Sequence, residues 1–185
     1  GVRGLYSAAL TDMSAASWEK RGVSVVPDVA YGVLAPSSTS APAKTADLVA
    51  ETATTGQHQI WQWVATPAGS AVVGFAIVRT IGRRRGLFRL YSGASGTPVL
   101  AEIDWDTASV AATANVGRGG LLPLGDGYVL LWVAATVPVG ATTTDVALIS
   151  TLDDGTVSYG GSTSCGVVVA AMGLTSGYGP GSPVS

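Results

Sequence analysis

The chain carries one cysteine, Cys165, and one histidine, His58, and these scarcities exclude whole classes of chemistry. A single thiol rules out an intrachain disulfide and a multi-thiolate metal site, and Cys165 is expected to be a small buried residue. A single imidazole forces any Ser-His-Asp triad or His-ligated metal to pass through His58. No nucleophile-elbow motif accompanies it. Charge is scarce as well: Asp, Glu, Lys and Arg make up 12% of the residues and the net charge is −2, so no global field recruits nucleic acid or an anionic membrane surface. Uninterrupted apolar runs of about 18 residues are absent, the longest candidates being cut by Gly166, Gly173 or Pro138, and no membrane insertion is expected. Residues Gly1 to Asp12 lack the apolar stretch of a secretory signal, and the missing initiator Met is taken as the mark of a fragment or processed chain.

What is present is apolar and strand-like. Hydrophobic residues are 47% of 185 and the mean hydropathy is +0.40, enough for one well-packed core. Short runs of Val, Ile, Thr and aromatics recur between Gly, Pro, Asp and Ser clusters. Strands are expected at Val23–Val26, Ala46–Ala50, Gln57–Ala65, Ala71–Thr80, Leu87–Ser92, Val99–Asp104, Val110–Val116, Tyr128–Val137, Thr144–Ser150, Val157–Tyr159 and Cys165–Met172. Only Ser14–Lys20 suggests a helical turn, and Ala35–Ala43 has the Pro, Ser and Thr content of a loop. Without crossover helices these strands must pair antiparallel, so an all-β, antiparallel β-sandwich is the economical fold. The expected organisation is a connecting segment over 1–16, the sandwich over 17–173 and an irregular Gly/Ser/Pro-rich tail over 174–185. No internal repeat supports a solenoid or propeller. Several strands are apolar on both faces: Tyr128, Leu130 and Trp132 alternate with Val129, Leu131 and Val133. A sheet of that kind needs a second cover, and an oligomer is expected.

The order of motifs resembles the jelly-roll, carbohydrate-binding-module-like domains of bacteriophage head and tail fibres and spikes. It begins with Ser17-Trp18-Glu19-Lys20 and Gly22-Val23-Ser24-Val25, and continues at Thr45-Ala46-Asp47-Leu48-Val49, similar to that family's "TADKL". Phe75–Arg79, Ile103-Asp104-Trp105-Asp106-Thr107, the hairpin Leu124-Gly125-Asp126-Gly127-Tyr128 and the turn Tyr159-Gly160-Gly161-Ser162-Thr163 follow in the family's order, before a final strand Gly166–Gly173. The chain departs by lacking the acidic residue that closes the family's last strand and the Trp before Tyr128. The resemblance implies a jelly-roll and a virion structural protein on the particle surface, a head or tail fibre or spike module. By the same analogy it implies a homotrimer touching other virion proteins, with host surface polysaccharide as a further partner. No enzyme activity and no cofactor are expected, since no carboxylate cluster or partnered base is apparent in the sequence. Two other readings stay open: a carbohydrate-binding module of a secreted bacterial enzyme, and a hydrolase on a jelly-roll scaffold, which requires clustered carboxylates or a partnered His58.

Candidate residues follow from alternation. In Gln57–Trp63, His58, Ile60 and Gln62 share one side, and Gln59, Trp61 and Trp63 the other. Two indoles at i and i+2 form an apolar platform for sugar rings, with Gln59 as a polar handle. The competing and preferred reading puts both indoles in the core or a subunit interface. His58 is expected to be an ordinary strand residue, and no catalytic residue is assigned. Asp104/Asp106 and Asp153-Asp154-Gly155 offer the oxygen ligands calcium prefers, yet both fit turn chemistry better, and no metal site is expected. Arg79, Arg83, Arg84, Arg85 and Arg89 are half of the chain's basic residues, with Arg83, Arg84 and Arg85 at the tip of an expected hairpin as an interface or anion contact. Nucleic acid is not expected there, since no recognised binding motif accompanies the patch. Gly117-Arg118-Gly119-Gly120 and Gly177–Gly181 lack a phosphate-loop context and are expected to be turn and tail.

Overall fold

A computed structural model describes residues 10–30, 45–93, 98–114 and 118–176. The strands are β1 (Glu19–Arg21), β2 (Val23–Ala30), β3 (Thr45–Glu51), β4 (Thr55–Gly56), β5 (His58–Ala65), β6 (Ala71–Ile81), β7 (Arg85–Tyr91), β8 (Val99–Asp104), β9 (Ser109–Ala114), β10 (Arg118–Gly125), β11 (Tyr128–Thr136), β12 (Thr143–Thr151), β13 (Tyr159–Gly160) and β14 (Gly166–Ser176). All their pairings are antiparallel. Sheet I has the order β10-β11-β6-β14-β3-β2 and sheet II the order β1-β5-β12-β7-β8-β9. Taken in chain order, the eight strands β3, β5, β6, β7, β8, β11, β12 and β14 fall as first-eighth-third-sixth and second-seventh-fourth-fifth. That is jelly-roll winding, with β1–β2 and the β9–β10 pair added at the sheet edges.

Alternation builds the core between the sheets. Ile60 and Val64 of β5, Val146 and Leu148 of β12, Phe88 and Leu90 of β7, and Ala101 and Ile103 of β8 face Val72, Ala76 and Val78 of β6, Leu131 and Val133 of β11, and Val169, Met172 and Leu174 of β14. A bulge between Val169 and Ala171 shifts the register of β14 against β6 and keeps the apolar residues on both sides of it pointing inward. Outside sheet I lies a second apolar cluster of Tyr128, Val168, Ala46 and Ala170, flanked by Leu48 and Ile77. The two-sided apolar character expected of Tyr128–Val137 is therefore a property of the whole of sheet I.

Several local expectations are corrected. Ser14–Lys20 is not helical: turns over residues 10–18 lead directly into β1. There Asp12 caps the turn by accepting from Ser14 and Ala15 N–H groups, while Met13 and Trp18 are buried in the core. The Asp47 carboxylate, inward-facing on β3, accepts from the Met13 N–H at 2.6 Å and the Asp28 N–H at 3.1 Å and so ties this segment to sheet I. Arg118-Gly119-Gly120 is strand, not turn: Gly120 pairs with Trp132 because the indole lies where a side chain would be, 2.7 Å from an ideal Cβ. Val157–Tyr159 shortens to β13, and β14 continues to Ser176, past Gly173. Residues 31–44, which include the expected loop Ala35–Ala43, and the Gly-rich stretch 177–181 lie outside the described residues.

Candidate functional site

The outward face of sheet II concentrates aromatic and polar side chains in register. Pairing sets four rungs across β5, β12 and β7: Trp63-Asp145-Tyr91, Trp61-Ala147-Arg89, Gln59-Ile149-Leu87 and, at the far end, Thr151-Arg85. Strand β8 extends them with Leu100 beside Arg89, Glu102 beside Leu87 and Asp104 beside Arg85. Because Ile60 and Val64 point into the core, Trp61 and Trp63 must point out of it. Trp63 is 41% exposed and meets Tyr91 edge-on, with ring centroids 5.9 Å apart and an interplanar angle of 66°. Trp61 is half-buried, with the Arg21 guanidinium 5.8 Å from its ring centroid. Neither indole fills the sandwich core, so the core half of the preferred sequence reading is corrected.

Beneath the aromatics lies a fixed ion pair. Arg89 donates Nη2–H to Asp145 Oδ2 at 2.5 Å and Nε–H to Oδ1 at 3.3 Å, a two-pronged contact across adjacent strands. Burial pushes the Asp145 carboxyl above the usual range, and the Arg89 bonds and the Tyr91 N–H offset only part of that push. The pair fixes the Arg89 side chain in the rung of Trp61, next to that of Tyr91, and forms the floor of the platform. Gln59 is buried on this face, and its Oε1 accepts no hydrogen bond among the described residues.

At the opposite end of the same face is a cleft of about 160 Å³ lined by Arg85, Leu87, Glu102, Asp104, Ser109 and Thr151, with Gly155 of the turn after β12 at its edge. Arg85 Nε is buried and makes no hydrogen bond among the described residues. Asp104 is engaged elsewhere. It accepts from Arg84 Nη2 at 3.0 Å and from the N–H groups of Asp106 and Thr107, so it serves as turn and ion-pair partner. These contacts hold its carboxyl below the ordinary value, Arg84 contributing most. Asp154 likewise accepts from the Thr156 N–H. Among the described residues, no group of three or more His, Cys, Asp or Glu side chains is placed to hold a metal ion.

The structure parts the three tip arginines. Arg83 turns to the end of the sandwich, where its Nε and Nη2 donate to Glu51 at 2.8 and 2.7 Å. The Tyr159 hydroxyl and the Ser162 N–H donate to the same carboxylate, at 2.8 and 3.0 Å. Arg84 goes to Asp104 and Asp106, Arg85 to the cleft. His58 is buried and stacked on Tyr159 at 4.7 Å, its Nε2 3.3 Å from the Thr52 carbonyl oxygen. Gly161 sits so close that a Cβ there would lie 2.2 Å from His58 Nε2 and 2.1 Å from Thr52 O. The Tyr159–Thr163 motif is thus a latch around Glu51. Cys165 is buried beside Gly82, a free thiol as expected. Sequence reasoning missed Tyr91, Arg89 and Asp145 as members of the platform. Arg85, Leu87, Arg89 and Tyr91 share one side by alternation, but only strand pairing puts that side next to Trp61 and Trp63.

No family model and no curated protein matches the chain. Among solved structures, the enzymatically active domain of tailspike protein 4 of bacteriophage CBA120 superposes at 13% identity with a TM-score of 0.47, over 86% of this chain. The match covers 19% of that solved chain.

Proposed function

We propose that this chain is an adhesive β-sandwich module of a bacteriophage particle, part of a head or tail fibre or spike, that grips surface polysaccharide through the outward face of sheet II. The virion setting rests on the resemblance in motif order. The carrying observation for the glycan is the Trp63–Tyr91 pair held open to solvent above the Arg89–Asp145 floor. Sugar rings present C–H faces to stack on indoles and hydroxyls to bond to fixed polar groups, and this face offers both.

The module is a binder in this reading because its one histidine and its buried carboxylates are committed to structural contacts, which leaves Glu102 of the cleft without a second free carboxylate among the described lining residues. His58 is walled in against Tyr159, and Glu51, Asp104 and Asp145 each hold an arginine. A carbohydrate-binding module of a secreted bacterial enzyme would use the same face. The half-buried apolar side chains around the second cluster on sheet I, with Leu122 55% exposed, favour the fibre, since a fibre covers such side chains with neighbouring subunits.

The test is affinity electrophoresis through gels containing bacterial O-antigen, galactomannan or soluble β-glucan. We expect the wild-type chain to be retarded in at least one gel, and Trp63→Ala to weaken that retardation about tenfold, in line with ~1.4 kcal/mol for a lost stacking contact. Its melting temperature should change little, because Trp63 is 41% exposed and lies outside the sandwich core. Equal migration of wild type and Trp63→Ala in all three gels would sink the proposal.

A further inference from the structure

The geometry points to a second subsite on this face, at the Arg85 cleft, that holds an end sugar of a neutral, linear oligosaccharide while Trp63 and Tyr91 stack on a sugar several units away. This inference rests on the glycan reading of the aromatic platform and adds to it the length and charge class of the ligand.

Three observations carry it. The first is distance. Tyr91 and Arg85 lie on the same strand and the same side, six residues apart, which at strand rise is ~20 Å, too far for one sugar and suited to a short chain. Arg89 and Leu87 pave the path between them. The second is an unmet bond: the buried Arg85 Nε–H lacks an acceptor among the described residues, and leaving such a donor unsatisfied is costly unless a ligand or water completes it. The third is size. A cleft of about 160 Å³ is small beside the ~300 to 1,000 Å³ of pockets that engulf a ligand, so it takes one end group of something that lies mostly along the open face.

Charge decides the ligand class. Arg84 is shared by Asp104 and Asp106, so it has no charge to spare for a ligand, and Arg85 and Glu102 are left as one cation and one anion on adjoining strands. With the Ser109 and Thr151 hydroxyls they make a site with both donors and acceptors and no excess of positive charge. Such a set pairs with sugar hydroxyls, each both donor and acceptor. A uronate carboxylate drawn to Arg85 would also meet Glu102, a repulsion no other cation of the cleft offsets.

The experiment uses an array of linear oligosaccharides of two to eight units, neutral and uronate-containing, probed with the wild-type chain and with Arg85→Gln, Glu102→Gln and Trp63→Ala, each checked for an unchanged melting temperature. Retention is expected for neutral chains of about four units or more. Arg85→Gln and Glu102→Gln should each lower affinity for those chains at least fivefold and leave the weak binding of shorter ones unaltered, while Trp63→Ala weakens all lengths. Three results overturn the inference and leave the platform standing: disaccharides binding as tightly as hexasaccharides, Arg85→Gln without effect where Trp63→Ala is damaging, or uronate chains preferred and improved by Glu102→Gln. No retention of any glycan by the wild type would remove the platform reading itself. Since Glu102 is exposed, its variant remains informative if Arg85→Gln fails to fold.

Discussion

At the scale of single residues, Glu51 is the most consequential side chain outside the platform. It is fully buried and accepts from Arg83 twice, from Tyr159 and from the Ser162 amide, joining β3, the β6–β7 turn and the segment after β13. Burial by itself would raise its carboxyl, but the Arg83 bonds, the Ser162 N–H and the Tyr159 hydroxyl together outweigh that and hold it below its ordinary value of 4.5. The unfolded chain therefore takes up this proton first as the pH falls. The stabilisation is complete above about pH 4.5 and drains away as the pH drops through the lower folded value. Replacing Glu51 with Gln strands the Arg83 guanidinium, so urea denaturation at pH 7 should show a loss of about 3 kcal/mol. The same titration repeated down the acid range should give a flatter decline for the variant than for the wild type. An unchanged acid slope would mean that Glu51 is not the linked group. Tyr159→Phe removes one of the four bonds and should cost about 1 kcal/mol and flatten that slope in part, less than Glu51→Gln does.

Elements obey a tension between propensity and packing, and Gly74 in the middle of β6 exposes it. In a strand interior alanine is ordinarily the better residue, so Gly74→Ala would stabilise an isolated strand. Here the added Cβ would lie 2.6 Å from Leu90 Cδ2 and 3.0 Å from Phe88 Cε1, inside the contact between the two sheets. Thermal unfolding should show destabilisation of about 1 to 3 kcal/mol from overpacking. A gain in stability would mean that the sheets are less tightly apposed there. The same tension explains which elements were legible in the sequence. Strands β5, β6, β8, β11 and β12 announced themselves by long β-branched and aromatic runs, and the jelly-roll winding followed from motif order. Strand β10 was hidden because Gly119 and Gly120 imitate a turn, and the reason for Gly120 is the Trp132 ring on the neighbouring strand, which no local pattern reveals. The platform was half legible. Alternation assigned Trp61 and Trp63 to one side of β5, but whether that side faced core or solvent depended on Ile60, Val64 and their partners in the other sheet. Tyr91 and Asp145 joined it through pairings over long stretches of chain.

For the whole molecule, the outer face of sheet I sets the question of assembly. Its four central strands present Leu130, Trp132, Phe75, Ile77, Val73 and Leu48, all half-buried, and Arg79 is the one charged side chain among those described there. Leu122, on the neighbouring β10, is 55% exposed. These side chains surround Tyr128, Val168, Ala46 and Ala170, which are already buried at the centre of the face, on a sheet of six strands spaced ~4.8 Å apart. Covering such a face by a second kind of protein would demand a dedicated partner, whereas identical subunits supply the complement automatically. Light scattering of the purified chain should therefore give an oligomer's mass, and the proposed fibre setting calls for a trimer. Ile77→Asp and Leu130→Asp, which put unpaired charges on this face and leave the inward core residues untouched, should give folded monomers that keep glycan binding through sheet II. A wild-type monomer would remove the fibre setting and promote the sugar-binding module of a secreted enzyme, because the platform on sheet II needs no second subunit to work.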